Sequence, residues 1–168
     1  RPDKSGSAYI QLALILQIYG EDKGWDIYSK ILDNTVLSNS SGAVSKFVND
    51  GEASIGLSNE DTLLKYKVGG GPVELLYPTD GTSAIADVMA LTATPVNAKG
   101  GKAFIEFMLS KDAQEILDMV GRRPVRADVV TKSALTPLNK LKIVSYNDDW
   151  AGANRTRILA KWNDLLLN

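Results

Sequence analysis

Two of the side chains that most often carry enzymatic chemistry are missing from this sequence, which turns attention to its backbone. It contains no Cys and no His, so thiol nucleophiles, Cys/His zinc sites and imidazole general bases are excluded at the outset. Hydrolysis would have to rest on carboxylates, Ser/Lys pairs or a metal held by oxygen. The acidic positions do not show the spacing that gathers two or three carboxylates, so neither an enzyme, a resident metal nor a cofactor is expected. Two short stretches do offer binding chemistry: Ser5-Gly6-Ser7-Ala8 and Ser40-Ser41-Gly42-Ala43. In each, small and hydroxyl residues open a helix and leave its first N–H groups pointing outward. A helix N-terminus carries about half a positive charge, and short side chains let a phosphate or carboxylate reach the amides. The same hydroxyls are good N-caps, a role that needs no ligand. Both readings stand at this point.

The elements that would position these stretches follow from periodicity. Residues 8–19 are apolar nearly all round, with Gly20 placed to stop them, which predicts a helix buried in the middle of a domain. Trp25, Tyr28, Ile31 and Leu32 recur at helical spacing up to Asn34, and Ala43, Val44, Phe47 and Val48 do so before Gly51. Short apolar runs at 53–57 and 73–77 read as strands around a helical patch at 62–66, with the Gly69-Gly70-Gly71-Pro72 turn between them. A further strand is expected at 85–93, after the Pro78-Thr79-Asp80-Gly81 turn. Helices are expected at 98–109, with Phe104, Phe107 and Met108 inward, at 111–120, closed by Gly121, and at 148–167, with Trp150, Ile158, Leu159, Trp162 and Leu166 on the apolar face. The β–α–β rhythm argues for an α/β fold with a largely parallel sheet. No internal repeat or low-complexity region interrupts it.

The 168 residues, 44% of them hydrophobic, suffice for one ordinary domain. The 19 Lys and Arg offset 20 Asp and Glu to a net charge of −1, which lacks the basic surplus that nucleic-acid binding requires. No apolar run approaches the ~20 residues needed to span a bilayer. Arg1-Pro2 shows neither an initiator Met nor an export signal, and a further N-terminal lobe with such a signal is expected upstream.

Five strings in order carry a family resemblance: SGSAYIQLALILQIYGEDKGWDIYSKILDN (5–34), GEASIGLSNED (51–61), GGPVELLYPTDGTSAIADVMAL (70–91), AKGGKAFIEFMLSKDAQEIL (98–117) and GRRPVRADV (121–129). Together they resemble the ferric-iron and phosphonate type of periplasmic solute-binding protein, the receptor of an ABC importer. The resemblance implies a type 2 periplasmic-binding-protein-like α/β fold of two lobes joined by crossing strands, with a mainly parallel sheet flanked by helices and the first lobe incomplete. Residues 1–80 would form the second lobe, 81–130 the hinge crossover and part of the first lobe, and 131–168 a C-terminal segment with the closing helix. It further implies a small-molecule ligand held in the cleft (an anionic organic or phosphorylated compound, or a ferric complex), permease subunits as partners, and a place in the periplasm or on the outer face of the cell membrane. Contact with the membrane would be only through the importer or a lipid anchor outside this chain.

On that resemblance Ser5, Gly6, Ser7 and Ala8, and Ser40, Ser41 and Gly42 with Ala43, match cleft-lining segments. Asp80, Thr82 and Asp87 lie where the chain crosses between lobes. There a carboxylate could take an amine or metal and Thr82 could donate to an anion, or Asp80-Gly81 is only a turn and Asp87 tethers the hinge. Iron capture in the family commonly uses adjacent tyrosines. This sequence has no Tyr-Tyr pair, and Tyr9, Tyr66 and Tyr77 stand singly, each also readable as a core or rim aromatic. The Arg122-Arg123-Pro124-Val125-Arg126 run reads as a solvated loop with anion or importer contact as the alternative. Asn59-Glu60-Asp61 reads as an acid-rich helix start or a cation site. The competing class is the effector-binding domain of a transcription regulator, which shares the two-lobed architecture.

Overall fold

A computed structural model describes residues 1–38 and 40–167, apart from the Ser41 side chain. Among the described residues the regular structure is helical: α1 Gly6–Tyr19, α2 Glu21–Leu32, α3 Ser41–Asn49, α4 Glu60–Val68, α5 Ala98–Met108, α6 Lys111–Met119 and α7 Asp148–Leu167, with a short 3-10 turn at Leu138–Lys140.

The core forms where α1 meets α2 and α7. Tyr9, Leu12, Ala13 and Leu16, spaced to share one face of α1, are buried against Trp25 and Tyr28 of α2 and Ala151, Ile158 and Trp162 of α7. Leu12, Ile158 and Trp162 have no exposed surface. The α1–α2 approach is close because residue 24 is glycine: a Cβ there would lie 3.0 Å from the Leu16 Cα. Polar groups fasten the same region. The buried Tyr9 hydroxyl donates to the Ala151 carbonyl at 2.5 Å, and Arg157 forks onto Glu21 at 2.6 and 2.7 Å. Away from this core, helix packing is mainly pairwise, α3 with α4 and α5 with α6.

The expected mainly parallel sheet is not formed among the described residues. Stretches 53–57, 73–77 and 85–93 are not in strands, and the single pairing is an isolated parallel bridge between Thr82 and Ile143. A strand exists only through its neighbour's hydrogen bonds, and among the described residues no strand ladder runs beside these stretches. Ile55 is 83% exposed, Leu76 82% and Val88 90%. The inward face expected for α5 is a second correction. Phe104 and Phe107 are 59% and 51% exposed, because α6 is the one helix that packs on α5 to any marked extent among the described residues and α5 has no buried residue. Periodicity found the apolar stripe correctly; what it could not supply was a surface to bury it.

Candidate functional site

The two helix starts differ in how their amides are used. At α1 the Ser5 hydroxyl accepts from the Ala8 N–H at 3.4 Å and shares a 3.1 Å hydrogen bond with the Ser7 hydroxyl. This is a long cap bond. At α3 Ser40 occupies the N-cap position with extended backbone, but its side chain makes no cap bond. Its backbone is held instead by Ser38, whose hydroxyl donates to the Ser40 carbonyl at 2.9 Å and accepts from its N–H at 3.2 Å. The first-turn amides of α3, including those of Gly42 and Ala43, have no intrahelical acceptor by helix geometry, and the Ser40 hydroxyl leaves them uncovered. The Ser41 side chain, one of the candidates, lies outside the described residues. Both glycines have room: a Cβ at Gly6 would meet nothing within 4 Å, and one at Gly42 would meet only the Ser40 Oγ at 3.7 Å. The structure does not pack α1 against α3 to any marked extent.

The crossing residues are engaged with protein groups. Asp80 accepts from the Tyr19 hydroxyl at the end of α1. Thr82 donates its N–H to the Lys142 carbonyl and accepts from the Val144 N–H, both at 2.9 Å. Asp87 pairs with Arg122 at 2.7 Å. The tyrosines likewise have neighbours: Tyr9 as described, Tyr66 beneath the Lys65 ammonium, and Tyr77, which donates to Glu60 at 2.6 Å. Burial, reinforced by the Glu60 hydrogen bond, pushes the Tyr77 phenol up to about 12, away from the phenolate form that binds a hard cation. Among the described residues no group of three or more His, Cys, Asp or Glu side chains is placed to hold a metal.

What the sequence did not reveal is that the acid-rich start of α4 and the basic run after α6 belong together. Arg123 forks onto Glu60 at 2.9 and 2.6 Å and also donates to the Thr136 carbonyl at 2.8 Å. Arg122 sits at 2.8 Å from Asp61 and at 2.7 Å from Asp87. Sixty-three residues separate Arg123 from Glu60, and the usable signal was charge complementarity alone, two adjacent acids and two adjacent arginines.

A groove of about 590 Å³ runs between Ala84–Val88 and Ile143–Tyr146. A second, of about 510 Å³, lies beside Gln17, Glu21 and Trp150. Neither described lining includes any candidate residue of the two helix starts or of the crossing. No helix of the described residues is long and apolar enough to cross a membrane.

Comparison with known proteins adds what the geometry leaves open. An uncharacterized protein of Haemophilus influenzae is 28% identical over 167 residues, which is 96% of this chain and 48% of that protein. A sulfate-binding protein of Synechocystis is 27% identical over 120 residues, 68% of this chain and 34% of that one. The chain thus spans about half the length of the first relative and a third of the second. No solved structure matches it significantly. The family described as bacterial extracellular solute-binding protein matches residues 2–123, the stretch that contains α1 to α6 and every candidate residue, and the chain belongs to that family.

Proposed function

We propose that this chain is part of the solute-binding receptor of an ABC importer, working outside the cytoplasm, in the periplasm or on the outer face of the cell membrane. It captures a small solute and hands it to permease subunits without making or breaking a bond. The family match over residues 2–123 is the observation that carries this reading. The unpaired apolar stretches at 53–57, 73–77 and 85–93 fit a chain whose sheet is completed by a further lobe. In that assembly residues 1–80 contribute to one wall of the cleft and residues 81–130 to the crossover.

The ligand has an anionic group, a sulfate-, phosphate- or carboxylate-like oxyanion, seated on the first turn of α3 with help from that of α1. Two facts support this. The α3 amides are not covered by their N-cap side chain, and a relative sharing 27% identity is named for sulfate binding. Ferric iron is a poorer fit, since no tyrosine pair is present and Tyr77 is held protonated by burial and by Glu60.

The test is calorimetry on the full-length receptor with sulfate, phosphate and a small carboxylate. Because both glycines have space around them, Gly6→Val and Gly42→Val should leave the fold intact, as circular dichroism would verify, while blocking approach to the amides. Gly42→Val should cost more affinity than Ser7→Ala. Losing one charge-assisted hydrogen bond costs about 1.5–3 kcal/mol, so a tenfold or greater loss is expected for the glycine change. If Gly6→Val and Gly42→Val receptors bind as wild type does, the helix starts are ordinary caps and the solute sits elsewhere.

A further inference from the structure

We propose that Arg122 and Arg123 form an ionic clasp that sets the angle between the α3–α4 pair and the α5–α6 pair, and that opening it lets α5–α6 swing. Helix packing does not fix that angle, because α5 and α6 pack chiefly on each other, as do α3 and α4. What joins the pairs is the segment after α6. It is fastened to α6 by buried polar side chains: the Gln114 carbonyl accepts from the Val125 N–H at 2.8 Å, and Asp118 accepts from the N–H groups of Lys132 and Ser133 at 2.6 and 3.1 Å. The segment is fastened to α4 by its two arginines. Arg122 grips Asp61 and Arg123 grips Glu60, adjacent acids in the first turn of α4.

Each arginine also takes a partner from the connection between α4 and α5. Arg123 lies 3.4 Å from the Tyr77 hydroxyl, and Arg122 is 2.7 Å from the Asp87 carboxylate. The clasp therefore ties the α4–α5 connection and the segment after α6 to the start of α4. Its halves differ in strength. Arg123 and Glu60 are 20% and 29% exposed and make a forked pair, whereas Asp87 is 89% exposed. Exposed ion pairs contribute little and weaken with salt, so the Arg122–Asp87 half opens first. Gly121, with φ at +82°, makes the turn that brings the arginines there; a Cβ on it would lie 2.7 Å from Leu64 of α4.

The inference concerns the chain's own mechanics, and its test needs no ligand. Because the sequence has no Cys, spin labels on Lys65→Cys in α4 and Lys102→Cys in α5 are unique reporters of the angle by pulsed dipolar spectroscopy. The otherwise wild-type chain at low salt should give a narrow distance distribution. Asp87→Asn should broaden it, Arg122→Gln should broaden it further and move it to longer distance, and Arg122→Gln with Arg123→Gln should do so most. The unmutated clasp at about 1 M NaCl, where the screening length falls to about 3 Å, should resemble Asp87→Asn. Asp87→Asn and the salt series do not depend on the arginine variants folding. An unchanged distribution in Asp87→Asn, in Arg122→Gln and at high salt overturns the clasp.

Discussion

Helices α1, α2 and α7 and helices α5 and α6 both carry large apolar side chains, yet they use them in opposite ways. In the first set Leu12, Leu16, Ile158 and Trp162 are almost wholly enclosed. In the second, Phe104, Phe107, Ile116 and Met119 are all more than half exposed. The sequence marks both, α1 as apolar nearly all round and α5 and α6 by a narrower apolar stripe. The difference lies in the partner: α7 returns from the far end of the chain to cover α1, whereas among the described residues no helix but α6 packs on α5 to any marked extent. Burial is thus a property of a pair of elements, and the face of one helix states only what it would bury if a neighbour came.

The sharpest way to break this comparison is to truncate one aromatic in each region. Trp162→Ala removes a side chain with no exposed surface and should lower unfolding free energy by about 3–5 kcal/mol. Phe107→Ala, at a half-exposed position, should stay within about 0.5 kcal/mol. Urea denaturation of both variants measures the contrast, and equal losses would mean that α5 is covered after all.

A second test uses alkaline pH. Burial pushes the Tyr28 phenol up from 10.0 to about 12. Its folded pKa lies above the unfolded value, so its contribution is fully present below the unfolded pKa and is lost as pH rises through the folded one. Two pK units correspond to about 2–3 kcal/mol of stability lost between roughly pH 10 and 12. Denaturation across that range should show the decline in wild type and a shallower one in Tyr28→Phe, although Tyr77 and Tyr146, also raised to about 12, add their own share.

Smaller effects separate the two kinds of polar contact. Arg123→Gln leaves Glu60 without its fork in a partly buried setting and should cost about 1–2 kcal/mol once solvent screening is allowed for. Arg126→Gln, which loses an exposed pair with Asp128, should leave thermal stability unmoved. Smallest of all, Ser5→Ala removes a cap bond that is already long and should cost about 0.5 kcal/mol, the low end for N-caps. Ser40→Ala, with no cap bond to lose, should cost less still, and a reversal of that order in thermal melts would reassign the two helix starts.

Local signals read the helices well. Asp148 and Leu167 bound α7 as expected, and the expected helix at 111–120 ends at Met119. Those boundaries depend on capping residues and apolar spacing within a few positions. The sheet was not legible because alternating or continuous apolar runs reveal a preference for extended backbone, not whether a partner strand lies alongside. Candidate residues at the crossing illustrate the same limit. Asp80 and Asp87 were marked by residue type, but their partners, Tyr19 and Arg122, come from 61 and 35 residues away, a distance across which a single sequence carries no register. Helices do start at Gly6 and Ser41 as expected, and only coordinates distinguished the start where the Ser5 side chain makes a cap bond from the one where the Ser40 side chain makes none.

The position of the indoles gives the molecule an unintended optical asymmetry. The sequence has three Trp residues, at 25, 150 and 162, and all of them lie in or against the α1–α2–α7 core. Intrinsic emission therefore watches that half of the molecule and is blind to α5 and α6, whereas far-ultraviolet dichroism sums over every helix. During unfolding the two signals should part company: ellipticity falls in an early phase that the emission wavelength does not register, then both move together when the core opens. Non-coincident probes are the signature of a departure from two-state behaviour.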